Sequence, residues 1–159
     1  MAELAESARR RRVLAQQLLS WAVRIGVAAV FVVAAVPKAG DLLSFAADIR
    51  NYQVFPERSL HVIAAIVPML ELVGAAALLS GHPRWVRAGG LLLGVLTVAF
   101  IALIASVIVR GIDLQCGCFG KQAAADAVGW PTLWRDVALL VAIVVAAWWQ
   151  PRRATPQPA

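Results

Sequence analysis

Apolar residues along this chain gather into four long runs, near 18–36, 60–79, 88–109 and 133–149, separated by shorter polar stretches. Each run approaches the roughly 20 apolar residues that a helix needs to cross a hydrocarbon core about 30 Å thick. Between the first two runs the period changes. Leu42, Phe45, Ala46, Ile49 and Tyr52 recur at helical spacing, while Asp48, Arg50, Asn51 and Gln53 take the other face and Pro56 ends the segment. The pattern predicts a short amphipathic helix lying on the outer membrane surface, as a structural lid or a docking face for a partner.

The expected fold is therefore all-α: a polytopic four-transmembrane-helix bundle with a short amphipathic interfacial helix between the first two spans. A basic cytoplasmic segment over 1–17 precedes a membrane domain over 18–150, and the Pro-containing tail over 151–159 is expected to be disordered.

Composition strengthens this reading, since 61% of the 159 residues are hydrophobic and only 15% are charged. That balance leaves too little polar surface for a soluble domain of this size, so the lipid bilayer is the expected solvent. All six tryptophans, Trp21, Trp85, Trp130, Trp134, Trp148 and Trp149, fall at or near the ends of the proposed spans, where indole prefers the headgroup level. The first run exceeds the about 7–15 residues of a signal-peptide core and lacks a clear small-x-small cleavage site, so it reads as a retained helix.

Charge supplies the orientation. With the N-terminus inside, 9 of the 15 basic residues are cytoplasmic, and the strongest cluster is Arg9 to Arg12 ahead of the first span. The expected location is the cell membrane, multi-pass, with both termini cytoplasmic. The net charge of +6 does not indicate nucleic acid, because the basic residues flank helices and no aromatic side chains alternate with them.

The candidate chemistry lies in "RGIDLQCGCFGKQ", residues 110–122, which holds the chain's two cysteines, Cys116 and Cys118. In this topology the segment faces the extracytoplasmic side, where a disulfide is permitted. A bridge across a single residue needs a tight turn, which Gly117 allows and which Phe119 and Gly120 support. Such a bridge closes almost no chain and is suited to accept electrons from another thiol pair. Two other readings stay open: a pair of thiolates for a soft metal, and two inert thiols. A tetrahedral metal site would need further ligands, and His61 and His82 belong to opposite sides of the membrane, so no metal site is assigned.

Glu71 stands near the middle of the second span, in "PMLELVGAAALL". A carboxyl at that depth is expected to be a proton relay, part of a polar pocket, or a neutral group hydrogen-bonded to another helix. Arg24 is close enough to the inner end of its span to snorkel toward water. Lys38 and Asp41 end the first span, Arg135 and Asp136 begin the fourth, and the four are expected to pair as an outer-face polar cluster of structural character.

Taken together, "PKAGDLLSFAADIRNYQVFP", "PMLELVGAAALL", "RGIDLQCGCFG" and "LWRDVALL" resemble the MauE-type branch of the DoxX-like membrane proteins over most of residues 18–150. The Cys-Gly-Cys-Phe-Gly segment is the most specific part. The resemblance implies a four-helix bundle with an outward cysteine pair. It also implies an accessory role in methylamine utilisation, in maturing a disulfide-rich subunit beside a thioredoxin-like partner. The four-helix plan is similar to membrane oxidases that pass electrons from thiols to quinone, such as DsbB and the vitamin K epoxide reductase relatives. Those carry two cysteine pairs, whereas this chain has one.

The expected function is thus a membrane thiol-disulfide oxidoreductase whose Cys116 and Cys118 exchange electrons with an extracytoplasmic thioredoxin-like protein or thiol substrate, with quinone as a further acceptor. The alternative is a non-enzymatic membrane maturation chaperone or soft-metal handling component.

Overall fold

The computed structural model describes residues 2–111 and 130–149. Five helices follow one another: α1 (Ala2–Gly40), α2 (Leu42–Asn51), α3 (Glu57–Leu79), α4 (Pro83–Arg110) and α5 (Trp130–Trp148). Four of them, α1, α3, α4 and α5, are long and apolar enough to cross a membrane, so the protein is a multi-pass, helical membrane protein. Cys116, Gly117, Cys118, Phe119 and Gly120 lie outside the described residues, as does the tail over 151–159.

Helix α1 starts well before the apolar run does. The stretch before Trp21 is rich in Ala, Leu, Glu, Gln and Arg and contains neither Gly nor Pro, so the basic segment continues the span as helix. The long spans pack in the cyclic order α1, α3, α4, α5, with α5 returning to α1. Val27, Ala28 and Phe31 of α1 meet Ala75 and Leu78 of α3, Leu93 of α4, and Ile143 and Ala146 of α5 in one apolar core. Large apolar side chains such as Val95, Leu18 and Val109 remain exposed on the outside, as a lipid-facing surface requires.

Small residues let the helices approach. A Cβ at Gly89 of α4 would lie 2.8 Å from the Gly74 carbonyl oxygen of α3, and one at Gly90 would collide with the Ala147 Cβ of α5. Both contacts hold backbones closer than larger side chains permit.

Helix α2 forms between the first two spans, as the pattern predicts, and its apolar face packs on α3. Helix α1 stops at Gly40, and Asp41 opens α2 by accepting a hydrogen bond from the Ser44 amide at 3.0 Å. Phe45, Ala46 and Ile49 then bury themselves against Leu60 and Ala64 in the first half of α3. Further along α3, Ala75 and Leu78 belong to α1 instead. Helices α1 and α2 therefore lie end to end along α3, and α1 terminates beside the middle of α3. The apolar stripe of α2 thus has a protein partner in α3.

Candidate functional site

The early stop of α1 decides where its last charged residue goes. Lys38 sits in the final turn and points into the bundle, where its Nζ lies 2.7 Å from Glu71 Oε1. Glu71 is roughly 20 Å from the start of α3 by helix rise. The two side chains are 3% and 1% exposed, so this is a buried ion pair. The ammonium also stands 5.4 Å from the Phe45 ring centroid and 5.0 Å from that of Phe100. Aromatic faces attract a cation that water no longer solvates.

Lys38 was expected beside Asp41, Arg135 and Asp136 at the outer face, and the structure arranges these residues differently. Its hydrogen bond goes to Glu71, while Asp41 caps α2. Arg135 Nε donates to Asp136 Oδ1 at 3.3 Å within α5. Even so, Lys38, Glu71, Arg135 and Asp136 come together around one small chamber of about 50 Å³, which Thr97, Phe100 and apolar residues of α1 and α5 also line. Thr97 turns its hydroxyl to the Leu93 carbonyl at 2.8 Å. Glu71 Oε2 accepts no hydrogen bond from any described residue.

A second, larger cavity of about 110 Å³ lies on the other side of Lys38, between α2, α3 and α4. Its walls are mainly apolar and include Phe45, Phe55, Val67, Phe100 and Leu103, with Asp48 and Tyr52 as further polar residues. The Lys38 side chain thus borders both cavities, and the smaller one holds the charged groups.

Tyr52 connects this interior to the end of the bundle. Burial first, and then the nearby carboxylates of Asp48 and Asp136, push its phenol above the ordinary tyrosine range. Its backbone carbonyl accepts a hydrogen bond from Arg110 Nη2. Arg110 is the last residue of α4, and Gly111 ends that helix in the left-handed conformation at φ 64°. A polar succession therefore runs from Glu71 and Lys38 past Asp136 and Tyr52 to Arg110, where the cysteine-bearing connection to α5 begins.

Periodicity assigns Tyr52 only to the apolar stripe of α2. Its phenolic tip, on the single tyrosine of the chain, was the available sign of a polar role. Arg110 reads in sequence as a flank, and nothing local marks its long-range bond to residue 52.

Arg24 does not reach for water as expected. It is buried, and its Nε donates to the Ala146 carbonyl of α5 at 3.2 Å, with the guanidinium 5.8 Å from the Trp21 ring. Packing of α5 against α1 brings a backbone acceptor within reach of Arg24. Among the described residues no cluster of three or more His, Cys, Asp or Glu is arranged to hold a metal ion.

Residues 16–149 match the family described as methylamine utilisation protein MauE. Two relatives carry that same description. The protein from Paracoccus denitrificans is 32% identical over 130 residues, covering 79% of this chain and 67% of the relative. The protein from Paracoccus versutus is 30% identical over 140 residues, covering 86% and 72% respectively. No solved structure matches the chain. With most of its length matched, this chain belongs to the MauE family.

Proposed function

We propose that this protein is a membrane accessory factor in the maturation of exported proteins, and that it works by thiol-disulfide exchange at Cys116 and Cys118. The names of its relatives make methylamine utilisation the candidate pathway. The similarity of small and apolar residues extends the proposal to kinship with the wider DoxX-like proteins. Orientation follows the Arg9 to Arg12 cluster: termini in the cytoplasm, cysteines outside the cell membrane.

One observation carries the reading. The chain's two cysteines occupy the connection that leaves α4 at Gly111 and enters α5 at Trp130, the same end of the bundle to which the buried polar succession leads. In the proposed exchange, a thiolate of a thioredoxin-like partner attacks one sulfur of a Cys116–Cys118 disulfide. A mixed disulfide forms and the other cysteine leaves as thiolate. The partner's second thiolate then attacks that mixed disulfide, so the partner ends as disulfide and the pair as dithiol, with two electrons transferred. Restoring the pair requires a two-electron acceptor, either an oxidised partner protein or a membrane-soluble quinone. Among the described residues, the apolar cavity beside Lys38 is the candidate place for a quinone ring.

Trapping tests this directly. In living cells, Cys116→Ser and Cys118→Ser variants leave one thiolate that can attack the disulfide of an oxidised partner, and acid quenching with alkylation preserves that adduct for mass spectrometry before the partner's second thiol resolves it. An adduct to an extracytoplasmic thioredoxin-like protein is the expected result. Stoichiometric soft metal on the purified protein, lost when the thiols are alkylated, would instead favour a metal-handling component.

A further inference from the structure

We propose that the chamber between the Lys38–Glu71 and Arg135–Asp136 pairs is an internal hydration site, in which water joins Glu71 Oε2 to Asp136 and lets the two carboxyls share a proton. The inference concerns the interior of the bundle and does not depend on the chemistry of the cysteines.

Three observations converge on it. Glu71 is 1% exposed, and one of its carboxyl oxygens is bonded to Lys38 while the other accepts nothing from any described residue. A buried acceptor without a donor is costly, and internal water is the usual remedy. The chamber is also large enough, since about 50 Å³ exceeds the roughly 10–15 Å³ that one water requires. Finally, although most of the lining surface is apolar, Lys38, Glu71, Thr97, Arg135 and Asp136 place on it the donors and acceptors that an ordered water needs. An apolar void of this size would stay dry.

The charges balance around it. Helix α1 contributes the Lys38 ammonium, α3 the Glu71 carboxyl, and α5 the Arg135 guanidinium with the Asp136 carboxyl. Helix α4 contributes no titratable group to the chamber, only Thr97 and Phe100. From α2, Asp48 and the adjoining Tyr52 face the neighbouring cavity that also touches Lys38. Two cations and two carboxyls form a neutral set when both acids are ionised. A proton entering the set resides on one carboxyl and passes to the other through water, with no net change in bonding beyond that transfer. Asp136 also acts electrostatically on Tyr52.

Infrared difference spectroscopy on the full chain in lipid nanodiscs reads both the water and the proton. Heavy-oxygen water should shift an O–H stretch belonging to a strongly bonded internal water. Acid-to-alkaline titration should reveal a protonated-carboxyl band that moves in frequency in the Glu71→Asp variant, which keeps the acid and its partner Lys38. Asp136→Asn leaves the Lys38–Glu71 pair in place, and it should displace the titration midpoint of that band by about one pH unit or more, as coupled sites require. Absence of an isotope-sensitive water band overturns the proposal. So does a midpoint that Asp136→Asn leaves unchanged.

Discussion

Lys38 and Glu71 stand 2.7 Å apart in the interior of the bundle although 33 residues separate them in the chain. Each answers for the other's burial. An ammonium or a carboxylate alone at that depth would carry an uncompensated desolvation cost, and the pair stands only because α1 ends where α3 presents its acid. The rings of Phe45 and Phe100 complete the surroundings of the cation.

Removing one partner leaves the other unpaired. Lys38→Met and Glu71→Gln are each expected to lower unfolding free energy by about 3–5 kcal/mol, and the double variant by less than the sum of the two. Denaturation in detergent micelles, arranged as a double-mutant cycle, measures the difference. Additive losses would mean that the two groups act independently.

Tyr52 predicts a pH dependence at the alkaline end. Because its phenol is raised by burial and by Asp48 and Asp136, the folded protein holds that proton more tightly than the unfolded chain does. Its contribution to stability is complete below about pH 10 and is lost as pH rises from there through the folded value. The stability difference between wild type and Tyr52→Phe should therefore be constant up to that range and shift against the wild type above it. Thermal melts across alkaline buffers check the sign, and a difference that moves the other way contradicts it.

Helix contact predicts a contrast between two glycines. Gly89→Ala places a methyl 2.8 Å from the Gly74 oxygen, a backbone atom that cannot swing aside, and should cost about 1–3 kcal/mol as α3 and α4 separate. Gly26→Ala meets nothing within 4 Å and should be neutral or stabilising by up to about 1 kcal/mol through helix propensity. Melting both variants side by side separates packing from propensity.

For the cysteines, Cys116→Ser and Cys118→Ser are expected to abolish exchange with the partner while leaving the melting temperature nearly unchanged. A loop closed over one intervening residue restricts the unfolded chain very little. A large stability loss would identify a structural bridge instead.

Much of this architecture is legible in the sequence because its signals are local. About 20 consecutive apolar residues suffice to announce a span, and the spacing of Phe45, Ala46 and Ile49 announces α2. Glu71 stands out because its neighbours along α3 are apolar. Lys38 reads otherwise: the apolar run ends at Val36, so a lysine two residues later looks interfacial. Only the docking of α2 on α3 reveals that α1 stops halfway along its neighbour. Arg24 is misread for a related reason, since its acceptor belongs to a residue 122 positions away. The basic run from Arg9 conceals a helix because charge, not propensity, dominates its appearance. Cys116 and Cys118 rest on sequence and family alone, as they lie outside the described residues.

The 33-residue interval between Lys38 and Glu71 also orders biogenesis. A lone ammonium at the centre of a bilayer costs about 2.5–3.5 kcal/mol on insertion scales, and the carboxylate that offsets it belongs to a helix later in the chain. Lys38 must then wait near the aqueous boundary, which its place in the last turn of α1 allows. Insertion of α3 delivers the carboxylate, and closing the pair draws Lys38 inward together with the short helix that follows it. A released chain truncated before α3 should keep Lys38 within reach of water-soluble amine reagents, and the completed chain should protect it.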